Sequence, residues 1–496
     1  MQFGFDLHDM LESVVSRSVS PSSRGLRLAS IQLNPFDANN GRGLAFWQFD
    51  CTGGREMAAR TLRWIAAACM ILALTACSGG GLMRRLAPSP HERYAEALRG
   101  TALDNTALAR DWLTAAEAAL SKPLTVTLPM SESGYFAADT PTATAYQFEL
   151  QRGRRLSVEV TFDSVEMAHL FVDLFQIRNE ATPERIASLT EGQTLTVDVP
   201  RDGTYVLSVQ PELLRTGRYT IVQRTLASLI FPVSGLTAAA VQSEFGAARD
   251  AGRREHEGVD IFAARNTPVI AVADGTAQTG TNPLGGNVVW LRDRREPRSF
   301  YYAHLTRWAF EGASAVRAGD VVGYVGNTGN ARATSPHLHF GIYARGAIDP
   351  LPFLKADDAI PRPPANVERF LAELVRVSTA RAPLKSGTVR TAPADAQLNR
   401  GTIGRVIGVT DTKVRVELPD RSTGYLDQSS VTVAQTPMRR QTIRAGEVIR
   451  EQPLTTAPSI DTIAQPVAVD VLGEFNGFAF VQPPSGPRGW VETKAQ

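Results

Sequence analysis

Cysteine is nearly missing from this 496-residue chain: there are three, Cys51, Cys69 and Cys77, and none follows residue 77. A disulfide framework is therefore excluded for everything downstream. An excess of one charge is lacking too, since 52 basic residues face 50 acidic ones for a net charge of +2. Without a basic stripe interleaved with aromatics, nucleic acid is excluded as a partner. The apolar run Trp64 to Ala73 is too short to span a bilayer as a helix. What remains is a globular composition, 43% hydrophobic and 21% charged, too long for one core. Three or more domains are expected.

The run Trp64 to Ala73 follows Arg60 and Arg63 and ends in Leu74-Thr75-Ala76-Cys77. A basic start, an apolar middle and small residues at the end have the layout of a secretory signal, here residues 57–77 beginning at Met57. Its ending resembles the lipobox of bacterial lipoproteins, which implies that Cys77 is lipidated and anchors the chain to a membrane. The Ser-Gly-Gly-Gly stretch that follows would act as a tether. Ser78 resembles the sorting preference for the outer membrane, so the expected place is the envelope, facing the periplasm. Residues 1–56 show no clear periodicity and read as an over-called start or a disordered leader.

After a tether and helical segment (78–122), the pattern changes. Ser89-Pro90-His91-Glu92 is a capping box with proline at the first helical position, opening a helix expected to break near Gly100. His91 reads as a solvated first-turn residue. From 123 to 228 the period is two, as in Tyr146/Phe148/Leu150 and Leu156/Val158/Val160, with glycine-containing turns between. That predicts an antiparallel β-sandwich, jelly-roll-like, in which Tyr205 and Tyr219 line either the core or a glycan-binding face. Residues 355–383 read as a linker with a helix from Val367 to Thr379. The C-terminal region repeats itself at an offset of 65: Val406-Ile407-Gly408 returns as Val471-Leu472-Gly473, and Gly424-Tyr425-Leu426 as Gly489-Trp490-Val491. Two modules of short strands, 384–434 and 440–496, resemble bacterial SH3-like barrels, which implies wall binding; the alternative is a pair of structural spacers.

Four of the seven histidines fall between residues 256 and 339. In His337-Leu338-His339-Phe340 the two imidazoles would share one strand face. His256-Glu257-Gly258-Val259-Asp260 brackets a glycine with an imidazole and a carboxylate, where a missing Cβ allows close backbone approach. Three such ligands with an open fourth position suit a catalytic zinc site. His304 follows the Phe300–Ala303 segment, just beyond an expected strand end.

These residues, with Thr267-Pro268-Val269, Tyr302-Ala303-His304-Leu305 and Gly326-Asn327-Thr328-Gly329, resemble the lysostaphin/LytM-type zinc endopeptidases of bacterial cell walls. The resemblance covers about residues 240–352 and implies a mainly β peptidase domain, expected over 233–354, holding one zinc ion. It implies His256, Asp260 and His339 as metal ligands, and His337 and His304 as catalytic residues beside the metal's water. Arg249, Arg253 and Arg254 are candidates for substrate carboxylates, or else solvated loop charges. The implied activity is hydrolysis of peptide bonds in peptidoglycan stems or cross-links, the D-alanine to diaminopimelate link being the expected target. Two rival readings are a non-catalytic activator of a cell-wall amidase or division machinery, and a wall-binding structural lipoprotein. Ser335, where family members commonly carry glycine, touches substrate detail only.

Overall fold

Alternation governs the folded chain. The computed structural model describes residues 87–493 apart from 165–167, 179–182, 190–191, 250–251, 356–359, 362 and 390. The expected signal segment 57–77, the lipidation site Cys77 and the leader 1–56 lie outside the described residues. Among the described residues no helix is long and apolar enough to cross a membrane. The architecture is mainly β, built from antiparallel sheets, as the period-two patterns predict.

The capping box forms: Ser89 Oγ accepts from the Glu92 amide, and Glu92 accepts from the Ser89 amide at 2.8 Å. The first helix spans Pro90–Arg99, stops at Gly100, and a second runs Ala107–Ser121. His91 differs from expectation. It is half-buried, stacked on Trp112 at 4.9 Å and hydrogen-bonded to Gln210 at 2.7 Å. Trp112 in turn donates to the Pro211 carbonyl at 2.8 Å, so an aromatic cluster pins the helices to the sheet and takes His91 out of water.

Two sheets face each other over residues 124–227. One has the order Leu124–Thr125, Thr144–Leu150, Gly203–Pro211, Leu170–Gln176, Glu184–Ser188. The other contains Met130–Phe136, Gly217–Ala227, Arg154–Ser164 and Thr194–Asp198. Tyr205 and Tyr219 are both fully buried, which settles them as core residues and removes them from any glycan-binding face.

The second sheet does not end at Met130–Phe136. That strand also pairs with Ile403–Val409, Ser133 opposite Val409 and Gly134 opposite Gly408. A buried salt bridge, Arg415 to Glu132 at 2.9 Å, lies behind the seam with the hydroxyls of Tyr146, Tyr219 and Tyr425 on Glu132. One sheet therefore runs from the sandwich into the C-terminal region.

There the repeat is visible in the register. Ile403–Val409 and Val467–Phe475 each carry a bulge at the same place, between Val406 and Gly408 and between Val471 and Gly473. Lys385 pairs with Tyr425 and Arg450 with Trp490, again 65 apart. The expected helix from Val367 to Thr379 is a single turn, Val367–Phe370. Ala372, with φ 66°, breaks it, and Leu374–Val377 becomes a strand with Val375 and Val377 buried. That strand pairs with Ile403–Val409 and Val431–Val433, so residues 374–377 belong to the first module's sheet instead of a linker.

Between sandwich and repeat lies the histidine-rich region. Its main sheet has the order Val241–Ser243, Val259–Phe262, His337–Tyr343, Ser299–Leu305, Gly286–Asp293, Gly275–Asn282, Ala313–Val316. Leu338, Phe340 and Ile342 point into a core with Val259, Ile261, Phe300 and Tyr302, leaving the opposite face for His337 and His339. The region enters and leaves at one corner. The Leu229 amide donates to the Phe353 carbonyl at 3.1 Å, and Phe353 packs so close to Gly153 that a Cβ there would sit 2.4 Å from its ring.

Candidate metal centre

Strand register assembles the site. Asp260 lies directly opposite His339, and His339 directly opposite Ala303, so neighbouring strands present their side chains on one face. His256 precedes the first of these strands and reaches the same point because Gly258 lets the backbones close up. A Cβ on Gly258 would lie 2.5 Å from the Phe340 carbonyl and 2.8 Å from the His339 ring. His256 Nε2 is then 3.0 Å from Asp260 Oδ1 and 2.9 Å from His339 Nδ1, which is itself 3.1 Å from Asp260 Oδ1.

That triangle can be tested for fit. Ligand atoms about 2.0–2.1 Å from a tetrahedral zinc ion lie about 3.3 Å from one another, close to the observed spacing. The Nδ1 proton of His256 is held by the Glu244 carbonyl at 2.9 Å, which leaves a lone pair on Nε2. Three acceptor atoms thus converge with at most one proton, on His339, to share among them. A cation resolves this. Among the described residues this is the one group of side chains placed to hold a metal ion.

Electrostatics agree with that donor set. Burial raises the Asp260 carboxyl, but the adjoining imidazoles of His256 and His339 outweigh it and hold the group well below the usual carboxylate range. Burial lowers the pKa of His339 despite Asp260 beside it, favouring the neutral imidazole a metal requires. Burial, then His337, pushes His304 down to about 4.

His337 and His304 flank the triad, their rings 5.0 Å apart. His304 stands within the strand Ser299–Leu305, not beyond its end, in a left-handed conformation (φ 62°). Its amide donates to Gly285 at 2.7 Å, and the sheet register shifts beside it, between Asn287 and Val289. The Nδ1 atoms of His304 and His337 donate to the carbonyls of Thr328 and Ser335, each at 2.9 Å. In the neutral form each ring therefore carries its lone pair on Nε2.

The three arginines separate. Arg249 donates to Asp260 Oδ2 at 2.7 Å and to Ser243 Oγ at 2.6 Å, so it braces Asp260 while also lining the groove. Arg254 lines the groove over the triad, and the exposed Arg253 is not among its lining residues. The groove, about 1310 Å³, is also walled by Leu284, Asn330 and Thr334 and floored by Trp290, Tyr301 and Tyr343. Sequence reasoning passed over Arg249 as a brace and over the aromatic floor. The signal for the floor was an apolar residue, Trp290, at a solvent-facing strand position.

An antiparallel sheet that carries a His–Asp–His triad with two flanking histidines on its open face defines a metallopeptidase-type β domain. Residues 254–350 match Peptidase family M23, and the chain carries a domain of that lysostaphin/LytM type. The chain is 38% identical over 108 residues to the glycyl-glycine endopeptidase ALE-1 of Staphylococcus capitis, covering 20% of this chain and 29% of that protein. It is 36% identical over 140 residues to the L-Ala–D-Glu endopeptidase of Bacillus subtilis, 25% of this chain and 43% of that one. A DD-carboxypeptidase/endopeptidase of Neisseria meningitidis is 33% identical over 146 residues, 29% and 32% respectively. Each match thus spans less than half of the relative's length. The catalytic domain of the antimicrobial peptidase lysostaphin from Staphylococcus simulans overlays 24% of this chain and 96% of its own length at 30% identity, with a TM-score of 0.22.

Proposed function

We propose that the chain is a zinc metalloendopeptidase that hydrolyses peptide bonds of bacterial peptidoglycan. The observation that carries this reading is the triangle of His256, Asp260 and His339 ligand atoms, with the proton-fixed His304 and His337 at its mouth. Relatives named as endopeptidases, two of them by bonds between amino acids, support the reaction class. When bound, zinc supplies a Lewis acid and acidifies a water to give a nucleophile near neutral pH.

The chain's own residues do the rest. Because the Nδ1 protons of His337 and His304 are committed to carbonyls, each Nε2 can only accept a proton or a hydrogen bond at the outset. His337 is the general base: its Nε2 takes the proton of the attacking water and later returns it to the leaving amine. His304, neutral through most of the physiological range, orients that water through its own Nε2. Arg249 holds Asp260 in place and balances its charge. The groove receives the peptide in extended form along the Arg254 wall, over the triad.

The remaining regions extend this reading. Cys77, in its lipobox-like setting, would anchor the chain in the envelope, at the outer membrane facing the periplasm. The C-terminal pair, as SH3-like modules, would raise the local concentration of wall at the groove. The test is mass spectrometry of fragments released from purified sacculi by native protein, with and without chelator, and by His337→Ala. Fragments that vanish with chelator and with the substitution are expected. Absence of cleavage in the presence of zinc, together with stimulation of an added amidase, would overturn the enzyme reading in favour of an activator.

A further inference from the structure

The floor of the groove extends well past the metal centre. Along the main sheet the row His339–Ala303 is followed by the row Gly341–Tyr301–Trp290–Gln278, and then by Tyr343–Ser299–Arg292–Thr276. Each step is two residues, about 7 Å, and all these side chains share the face that carries His339. Trp290 leaves 40% of its surface in solvent, rare for so large an apolar residue at the centre of a sheet. Its ring lies 4.5 Å from Tyr301 and 5.3 Å from Tyr343, and Tyr301 meets His339 edge-on at 5.9 Å. The three aromatics form one surface continuous with the triad.

The two tyrosine hydroxyls are engaged. Asn282 donates to the Tyr301 hydroxyl at 3.0 Å, and the Tyr343 hydroxyl donates to the Glu257 carbonyl at 3.3 Å. What the patch offers a ligand is ring faces. Gln278, opposite Trp290, and Arg292, two residues on from it, stand exposed at its rim with an amide and a guanidinium. An apolar side chain would call for a concave pocket. A flat aromatic plate ringed by hydrogen-bonding groups suits a pyranose, whose axial C–H bonds stack on a ring while its equatorial substituents seek polar partners.

We propose that Trp290, Tyr301 and Tyr343 form a saccharide platform, on which a sugar ring of the substrate stacks while Gln278 and Arg292 hold its substituents. This rests on the peptidase reading and deepens it. The substrate class becomes a glycopeptide, gripped by its sugar on the sheet face beside the metal centre as well as by its peptide.

The test uses the full chain loaded with zinc. Titration calorimetry with a peptide-free N-acetylglucosamine tetramer should show saturable binding, lost in Trp290→Ala and largely kept in Trp290→Phe. Trp290→Ala should raise KM on intact sacculi about 3- to 10-fold, as loss of one aromatic stack implies. Its kcat, its zinc content and its KM on a sugar-free peptide should stay unchanged. Failure of the native protein to bind the tetramer, binding that Trp290→Ala leaves intact, or an equal KM rise on the sugar-free peptide would each overturn the platform. Failure of the peptidase reading is seen separately, as native protein that binds the tetramer and releases no peptide fragments.

Discussion

Two polar clusters in this molecule invite comparison, because each gathers ionisable groups from distant parts of the chain. Behind the sandwich seam, Glu132 and Arg415 come together from 283 residues apart, with three tyrosine hydroxyls around them. In the histidine-rich sheet, His256 and Asp260 meet His339. The first cluster is closed: opposite charges cancel, donors equal acceptors in kind, and burial is complete enough to push Tyr146 and Tyr425 well above the ordinary tyrosine range. The second is left open on one side and is rich in acceptors. Burial alone does not mark a functional site. Unbalanced lone pairs facing a groove do.

The largest effects should separate the two by readout. His339→Ala, or chelation, is expected to empty the second cluster of zinc and lower activity by more than about 100-fold, beyond the range for losing a mere outer partner. Inductively coupled plasma analysis and sacculus digestion check it. Glu132→Ala should do the reverse. It strands the buried Arg415 charge, at a cost of about 3–5 kcal/mol in urea unfolding, while zinc content stays the same. The double substitution Glu132→Leu with Arg415→Met should recover most of that loss; no recovery would mean the cluster does more than fill the seam.

Arg249→Ala probes the boundary between the clusters, since it removes a cation that braces a ligand. Zinc affinity should fall about 10- to 100-fold by competition with a chromogenic chelator, with partial recovery in Arg249→Lys. The smallest effect concerns pH. In the metal-free protein His304 titrates near 4, below the value of about 6.5 expected when unfolded. The unfolded state therefore binds the extra proton first, so stability is fully present above about pH 6.5 and is lost as pH falls toward 4. Equilibrium unfolding across that window should show a steeper slope in the native chain than in His304→Gln.

Much of the candidate metal centre was legible in the sequence because two of its three side chains sit in short strands whose pairing aligns them. Asp260 and His339 needed only that Val259–Phe262 and His337–Tyr343 pair in register. The rest hid for physical reasons. Glu244, Thr328 and Ser335 contribute backbone carbonyls, which any residue carries. Arg249 reads from sequence as a substrate contact or a solvated loop charge, because nothing in its neighbours announces the Asp260 carboxylate eleven residues on. Residues 367–377 fit a helix by composition, and only the left-handed turn at Ala372 and the waiting edge of Ile403–Val409 made them a strand. His91 was read from its helix position, while its surroundings come from Trp112 and Gln210.

The seam between Met130–Phe136 and Ile403–Val409 also bears on how the molecule can be taken apart. The peptidase region loops out from one corner and returns to it, so the chain on either side closes like a clasp. Cutting away everything after residue 366 would not merely subtract two modules. It would bare a flat strand edge and a stranded carboxylate at Glu132, an invitation to pair with another copy. A shortened version should therefore be made from the peptidase region outward, with the clasp either kept whole or left out altogether.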